Sequence, residues 1–241
     1  MYSIFMLITS ILSSFLIGLM INSQPVSIEK STIRTYVVGL IFSIICIFGI
    51  LAALFPKQCS RTFHGNKDKN FKPSQHTKYA ENHFEKKSSI FNIMIVHGHH
   101  TLCKEFSHHE FQMLGKTFCI GCYGLLSGAI LSLSVMILYL FRFWTIKEYT
   151  FNIMVLFGII GVNLGLIKPL LAKLKRKILR YLIEVFFVFG IFALLVTVDI
   201  ALKNLMADLY IILLSLYWLW TKITVTRFVH DKTCSICVPK C

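Results

Sequence analysis

Long apolar runs alternate with polar connections along most of the chain, and this alternation predicts membrane-spanning helices. A helix needs ~20 apolar residues to cross a hydrocarbon core, and six runs approach that length. The pattern therefore predicts an all-α polytopic membrane protein with six transmembrane helices and a long Cys/His-rich loop between helices two and three. The predicted helices cover residues 4–21, 35–55, 120–141, 149–167, 182–202 and 205–223.

These helices divide the chain into five segments. Helices one and two lie in residues 1–56, and a polar linker poor in apolar residues covers 57–96. Residues 97–122 form a segment dense in Cys and His, and helices three to six occupy 120–223. A polar Cys/His tail covers 224–241. The linker buries too little apolar surface to predict a folded domain of its own.

Composition supports the membrane assignment. Of the 241 residues, 56% are hydrophobic and only 15% are charged, with a mean hydropathy of +0.69. A soluble domain of this size would be less apolar and more charged. The net charge of +14 does not by itself indicate a nucleic-acid partner, because cations gather on the cytoplasmic face of membrane proteins. We therefore predict no nucleic-acid binding.

The distribution of cations predicts the orientation. Segments after helices two, four and six, counted with Lys222 at the end of helix six, hold 20 of the 25 Lys and Arg residues, and the segments after the other three hold 5. This bias predicts a cell-membrane protein with both termini and the long loop in the cytoplasm. The loop 168–180 carries six of these cations among Leu and Ile, which predicts contact with anionic lipid.

Cysteine and histidine cluster in the long loop, just before helix three. Residues 97–122 contain five histidines and three cysteines. Cys103, then His108 or His109, then the Cys119-x-x-Cys122 pair provide four donors of the kind that a tetrahedral zinc site uses. In the reducing cytoplasm such clusters indicate metal ligands before disulfides. Zinc is the expected metal, and iron is the alternative. His99 is a further candidate ligand.

The tail carries a second set of donors. His230, Cys234, Cys237 and Cys241 lie within 12 residues, which is compact enough for one zinc ion. These residues could instead join the loop ligands in a shared or two-metal site, because both segments are predicted on the same side of the membrane.

The stretch 119–128 reads Cys-Ile-Gly-Cys-Tyr-Gly-Leu-Leu-Ser-Gly, and His100 and Cys103 precede it. With these residues, the segment 97–130 resembles a family of small prokaryotic membrane proteins of unknown function. That family has a Cys-His segment, then Cys-x-Arg-Cys-x-Gly with another Gly four residues on, entering a helix. Gly121 stands where the family usually has Arg, and the Pro near its first Cys is absent here. The resemblance implies a shared site and no particular reaction.

Two pairs of glycines are spaced four residues apart in predicted helices. They are Gly124 with Gly128 and Gly161 with Gly165. Small residues at this spacing let helix backbones approach closely in lipid. Glycine is also common in membrane helices generally, so the spacing has two interpretations.

Two acidic residues fall within predicted helix five. Glu184 follows Arg180 by four residues, and Asp199 precedes Lys203 by four. Such spacing predicts ion pairs along one helix, near its ends. An intramembrane carboxylate can also carry ions or protons, which leaves a transport role open. Asp208 is expected to be exposed at the outer end of helix six.

Three hypotheses about function remain. The first is a cytoplasmic Cys/His metal site, expected to hold zinc, with a structural role or a role in docking a protein partner at the cytoplasmic face. It assigns the chain no enzymatic reaction. The second is a membrane thiol–disulfide oxidoreductase using Cys119 and Cys122. The third is a metal or proton transporter using Glu184 and Asp199.

Overall fold

The computed structural model describes residues 2–23, 32–54, 89–90, 93–94, 110–113, 116–141, 148–171 and 176–237. Within these ranges the chain forms six long helices and two short hairpins. The helices are α1 (Tyr2–Asn22), α2 (Thr32–Leu54), α3 (Ile120–Leu140), α4 (Glu148–Ile167), α5 (Lys177–Leu202) and α6 (Leu205–Cys237). All six contain a stretch long and apolar enough to cross a membrane, which confirms the prediction of six helices of this length and composition.

Helix α5 lies at the centre of the described bundle. In its membrane-length window 72% of the residues are buried, against at most 39% in any other helix. It packs most extensively against α3 and α4, and its consecutive residues from Gly190 to Ala201 are all buried. A helix that is apolar on every face is buried on every face, so the other helices are arranged around α5.

Both glycine pairs form close helix contacts. A methyl group on Gly124 in α3 would lie 2.9 Å from the backbone oxygen of Tyr181 in α5. A methyl group on Gly161 in α4 would lie 2.5 Å from the backbone oxygen of Phe186. Side chains larger than hydrogen would force these helices apart. The structure therefore favours the packing interpretation of the glycine spacing.

Two antiparallel hairpins are described between α2 and α3. Strands β1 (Ser89–Ile90) and β2 (Ile93–Met94) form the first, and β3 (Glu110–Met113) and β4 (Lys116–Cys119) form the second. Strand β4 ends where α3 begins, with Cys119 as the helix N-cap. The second hairpin therefore joins the Cys/His segment directly to the bundle.

Two helix boundaries differ from the sequence prediction by five residues or more. Helix α6 continues to Cys237, past its predicted end at Ile223, so most of the predicted tail is helical. No Pro or Gly occurs between Ile223 and Cys237, and polar residues can extend a helix beyond the membrane without breaking it. Helix α5 begins at Lys177 rather than at Leu182, so the end of the basic loop is also helical.

Candidate functional site

Cys119 and Cys122 lie together at the start of α3. Cys119 has the extended backbone of an N-cap residue, with φ −77° and ψ 121°, and Cys122 follows in the first helical turn. Neither cysteine forms a disulfide among the described residues, and each is partly exposed. In the β3–β4 hairpin Glu110 pairs with Cys119. Glu110, which directly follows His109 in the sequence, therefore lies beside Cys119.

The surroundings of Cys119 favour its thiolate. A hydrogen bond with the Cys122 side chain is the largest cause, and burial opposes it. The backbone N–H groups of Cys122 and Gly121 and the charge of Lys168 act in the same direction as Cys122. Together they lower the pKa of the Cys119 thiol from 9.0 to about 6. Helix N-termini and neighbouring cations are known to stabilise thiolates in this way.

A buried cluster of three charges lies behind the thiols. Glu184 of α5 binds the ammonium of Lys222 from α6 at 2.8 Å, and its other oxygen contacts Lys168 just after α4. Lys222 also donates to the Gly165 backbone oxygen at 2.8 Å. A methyl group on Gly121 would lie 4.0 Å from Glu184 Oε1 and 3.8 Å from the Cys119 sulfur. The carboxylate and the thiol therefore flank the same residue.

A second cluster occupies the opposite end of the bundle. Arg34 of α2 lies 2.9 Å from the Asp199 carboxylate of α5. The Tyr139 hydroxyl of α3 donates to Asp199 Oδ2 at 2.7 Å, and the Thr35 hydroxyl donates to the same oxygen at 3.0 Å. Asp208 of α6 is 3.5 Å from Arg34. The prediction that Asp208 is exposed was wrong, since its side chain is 0% exposed.

The sequence predicted only part of each cluster. Glu184 and Asp199 were identified as ion-pair acids, but not the partners that the structure shows for them outside α5, which are Lys168 and Lys222 for Glu184 and Arg34 for Asp199. The signal that could have identified Lys222 is its position as a cation among apolar residues of predicted helix six, since charges there usually have partners inside the bundle. Fifteen residues separate the two acids along α5, about 22 Å, so they belong to separate sites.

The remaining predicted ligands are only partly located. His99, Cys103, His108, His109 and Cys241 lie outside the described residues. Among the residues that are described, no group of three His, Cys, Asp or Glu side chains could hold a metal ion. The complete ligand set therefore stays a prediction, and its located part is the Cys119–Cys122 pair.

Three of the tail donors lie on the backbone of α6. His230, Cys234 and Cys237 follow the apolar stretch that ends at Val229. They are spaced four and three residues apart along the helix. Cys237 is fifteen residues beyond Lys222, or about 22 Å further along the axis.

The family resemblance over residues 97–130 stays a prediction. In comparisons with known proteins, no family model, no curated protein and no solved structure matches this chain.

Proposed function

We propose that this chain is an integral membrane protein in which Cys119 and Cys122 bind a metal ion, with zinc the expected metal. The site lies at the end of the bundle that carries the basic segments, which we assign to the cytoplasm of a prokaryotic cell. The observation that carries the proposal is the position of Cys119 and Cys122 together at the start of α3, where their hydrogen bond lowers the pKa of the Cys119 thiol to about 6. A metal ligand must be deprotonated, and a thiolate available at neutral pH binds zinc without a proton penalty.

The β3–β4 hairpin supports the choice of further ligands. Its register sets Glu110 beside Cys119, and His108 and His109 directly precede Glu110 in the sequence. With Cys103 or His99, these histidines supply the remaining donors of a tetrahedral site. A zinc ion bound in this way contributes on the order of 10 kcal/mol to holding the ligand-bearing segment against the bundle.

The tail donors fit a separate site. Ligands of one zinc ion lie about 2.0–2.3 Å from the metal, whereas α6 carries Cys237 about 22 Å along its axis from Lys222. Lys222 contacts Glu184, which flanks Gly121 together with Cys119. We therefore assign His230, Cys234, Cys237 and Cys241 to a second site rather than to a shared one.

A structural or docking role follows from the position of the site. The thiols are at the membrane surface, next to segments rich in Lys and Arg, and the loop 168–180 carries six of these cations. We propose that this loop contacts anionic lipid and that the metal-bound loop presents a surface to a protein partner in the cytoplasm.

Elemental analysis tests the metal assignment. The protein is purified without chelator, and zinc and iron per chain are measured for the wild type and for Cys119→Ser, Cys122→Ser and Cys237→Ser. We expect the first two variants to lose the metal of one site and Cys237→Ser to retain it. Cys46→Ser is the matched control, because Cys46 is buried in α2. A wild type with less than about half an equivalent, or a Cys119→Ser variant with unchanged metal, would contradict the proposal.

The hydrogen bond between the two thiols also favours a second function, thiol–disulfide exchange. The Cys119 thiolate would attack a substrate disulfide and form a mixed disulfide. The Cys122 thiolate would then displace the substrate as a dithiol and leave a Cys119–Cys122 disulfide, a transfer of two electrons to the substrate. Exchange with glutathione redox buffers separates the functions. A metal site would show no reversible disulfide in the metal-loaded protein, and an oxidoreductase would show one.

A further inference from the structure

The cluster at the other end of the bundle holds more negative than positive charge. It contains the carboxylates of Asp199 and Asp208 and the guanidinium of Arg34. These side chains are 3%, 0% and 10% exposed, respectively. If both acids were ionised, a buried negative charge would remain without compensation from the described residues. A buried charge in this situation usually neutralises by changing its protonation state.

The hydrogen bonds identify which acid is compensated. Asp199 receives hydrogen bonds from Thr35 and Tyr139 and a close contact from Arg34. Arg34 also donates to the Asp199 backbone oxygen at 2.6 Å. Neither carboxylate oxygen of Asp208 accepts a hydrogen bond from the described residues. The Arg34 guanidinium, which Asp208 shares with Asp199, lies 3.5 Å from Asp208 and 2.9 Å from Asp199. Asp199 is therefore the acid that is arranged to be ionised.

The position of Asp208 in the first turn of α6 favours its ionised form. The helix dipole favours a negative charge there. That effect is small compared with the cost of burying a carboxylate without hydrogen-bond donors, so it does not reverse the assignment. In the sequence, the charged residue nearest to Asp208 is Lys203, which lies in the short connection between α5 and α6.

The geometry favours a proton over a metal cation. A metal ion needs several oxygen ligands, but the groups around Asp199 are hydrogen-bond donors, and the Arg34 charge lies 3.5 Å from Asp208. The cavity beside Asp199 measures about 10 Å³, space for about one water molecule. A proton on a carboxyl oxygen needs no coordination sphere.

We propose that Arg34, Asp199 and Asp208 form a proton-binding site, in which Asp208 carries the proton and Asp199 remains ionised against Arg34. Among the described residues, the charged groups near Asp208 are Arg34 from α2 and Asp199 from α5, and the Tyr139 hydroxyl of α3 donates to Asp199. The site lies about 22 Å along α5 from the level of Glu184 and is independent of the proposed metal centre.

Two Asp→Asn variants in the same cluster test the site. Asparagine has the shape of a protonated aspartic acid, so Asp208→Asn should fold and melt near the wild-type temperature. Asp199→Asn removes the charge that Arg34 contacts and should melt much lower. Infrared spectra should show the carbonyl band of a protonated carboxyl group in the wild type and lack that band in Asp208→Asn.

The pH dependence of stability is the second measurement. The folded protein holds a proton that the unfolded chain releases above about pH 4, so raising the pH favours unfolding. The unfolding constant of the wild type should rise relative to that of Asp208→Asn by about tenfold per pH unit while Asp208 stays protonated. A cation from outside the described residues would keep Asp208 ionised. Asp208→Asn would then destabilise as strongly as Asp199→Asn and lack this trend, which would overturn the proposal.

Discussion

The Lys222 ammonium lies 2.8 Å from Glu184 Oε2, inside the bundle and directly behind the thiol pair. Both side chains are only 5% exposed. Lys168 contacts the other oxygen of the same carboxylate, so one acid joins the end of α4 and the helices α5 and α6. Charges buried to this extent are tolerated only when each has a partner.

Glu184→Gln should therefore destabilise the protein strongly. The substitution leaves two buried ammonium groups without a counter-charge, and removal of one partner from a buried ion pair costs about 3–5 kcal/mol. The free energy of unfolding, measured in detergent with a chemical denaturant, should fall by an amount of this order. The metal content per folded chain should stay close to that of the wild type.

A double variant provides the control for this prediction. The double variant Glu184→Gln/Lys222→Gln removes one cation together with the acid. Its loss of unfolding free energy should therefore be smaller than the sum of the losses in the two single variants. Strict additivity would mean that Glu184 and Lys222 do not stabilise each other. Lys177→Gln, at an exposed position of α5, should have little effect.

Substitutions at two helical glycines should give opposite results. Gly161→Ala puts a methyl group 2.5 Å from the Phe186 backbone oxygen, and the resulting separation of α4 and α5 should cost about 1–3 kcal/mol. At Gly49 in α2, no atom of another part of the described chain lies within 4 Å of the corresponding position, so Gly49→Ala should be neutral or stabilising by up to ~1 kcal/mol. Thermal melts of both variants in the same detergent measure the difference. Equal melting temperatures would contradict the close contact.

The helices were predictable because the length of each apolar run is itself evidence for a membrane-spanning helix. A span needs ~20 apolar residues, and all six runs have that length. The end of α6 was not predictable in the same way, because hydropathy marks where the membrane ends and not where the helix ends. Residues 230–237 are mostly polar, but no Pro or Gly occurs from 224 to 237, so the helix continues to Cys237.

The thiol pair was predictable from spacing, and its surroundings were not. Cys119 and Cys122 were identified because Cys-x-x-Cys at a helix start is a local pattern. The pairing of Glu184 with Lys168 and Lys222 joins residues distant in the chain, and no periodicity encodes it. The burial of Asp208 was missed for the same reason, since a polar residue at a predicted helix end indicates exposure unless its tertiary partner Arg34 is known.

Alkylation of Cys119 should depend on pH with a midpoint near 6. The reactive form is the thiolate, and the pKa of Cys119 is lowered from 9.0 to about 6. In chelator-treated protein, the rate of carbamidomethylation at Cys119, followed by mass spectrometry of its peptide, should therefore rise between about pH 5 and 7 and then level off.

Removal of the hydrogen-bonding thiol should shift this profile. Cys122→Ala eliminates the largest cause of the lowered pKa, so the midpoint should move upward, towards 9.0. Lys168→Met removes a weaker cause and should shift it less. An unchanged midpoint in Cys122→Ala would show that the two thiols do not interact.

The orientation of the bundle should be visible from two exposed positions outside the apolar stretches. Ser23 follows α1 at the end of the bundle with few cations, and Arg176 precedes α5 at the end with many. With both termini in the cytoplasm, a membrane-impermeant maleimide should label Ser23→Cys in intact cells and should not label Arg176→Cys. Arg176→Cys should become labelled after the cells are permeabilised. Wild-type protein is the background control, because Cys46 is buried and the other seven cysteines are predicted in the cytoplasm. Labelling of Arg176→Cys before permeabilisation would show that the orientation is the opposite one. The Cys119–Cys122 pair would then face the oxidising side, and disulfide exchange would replace the metal site as the better proposal.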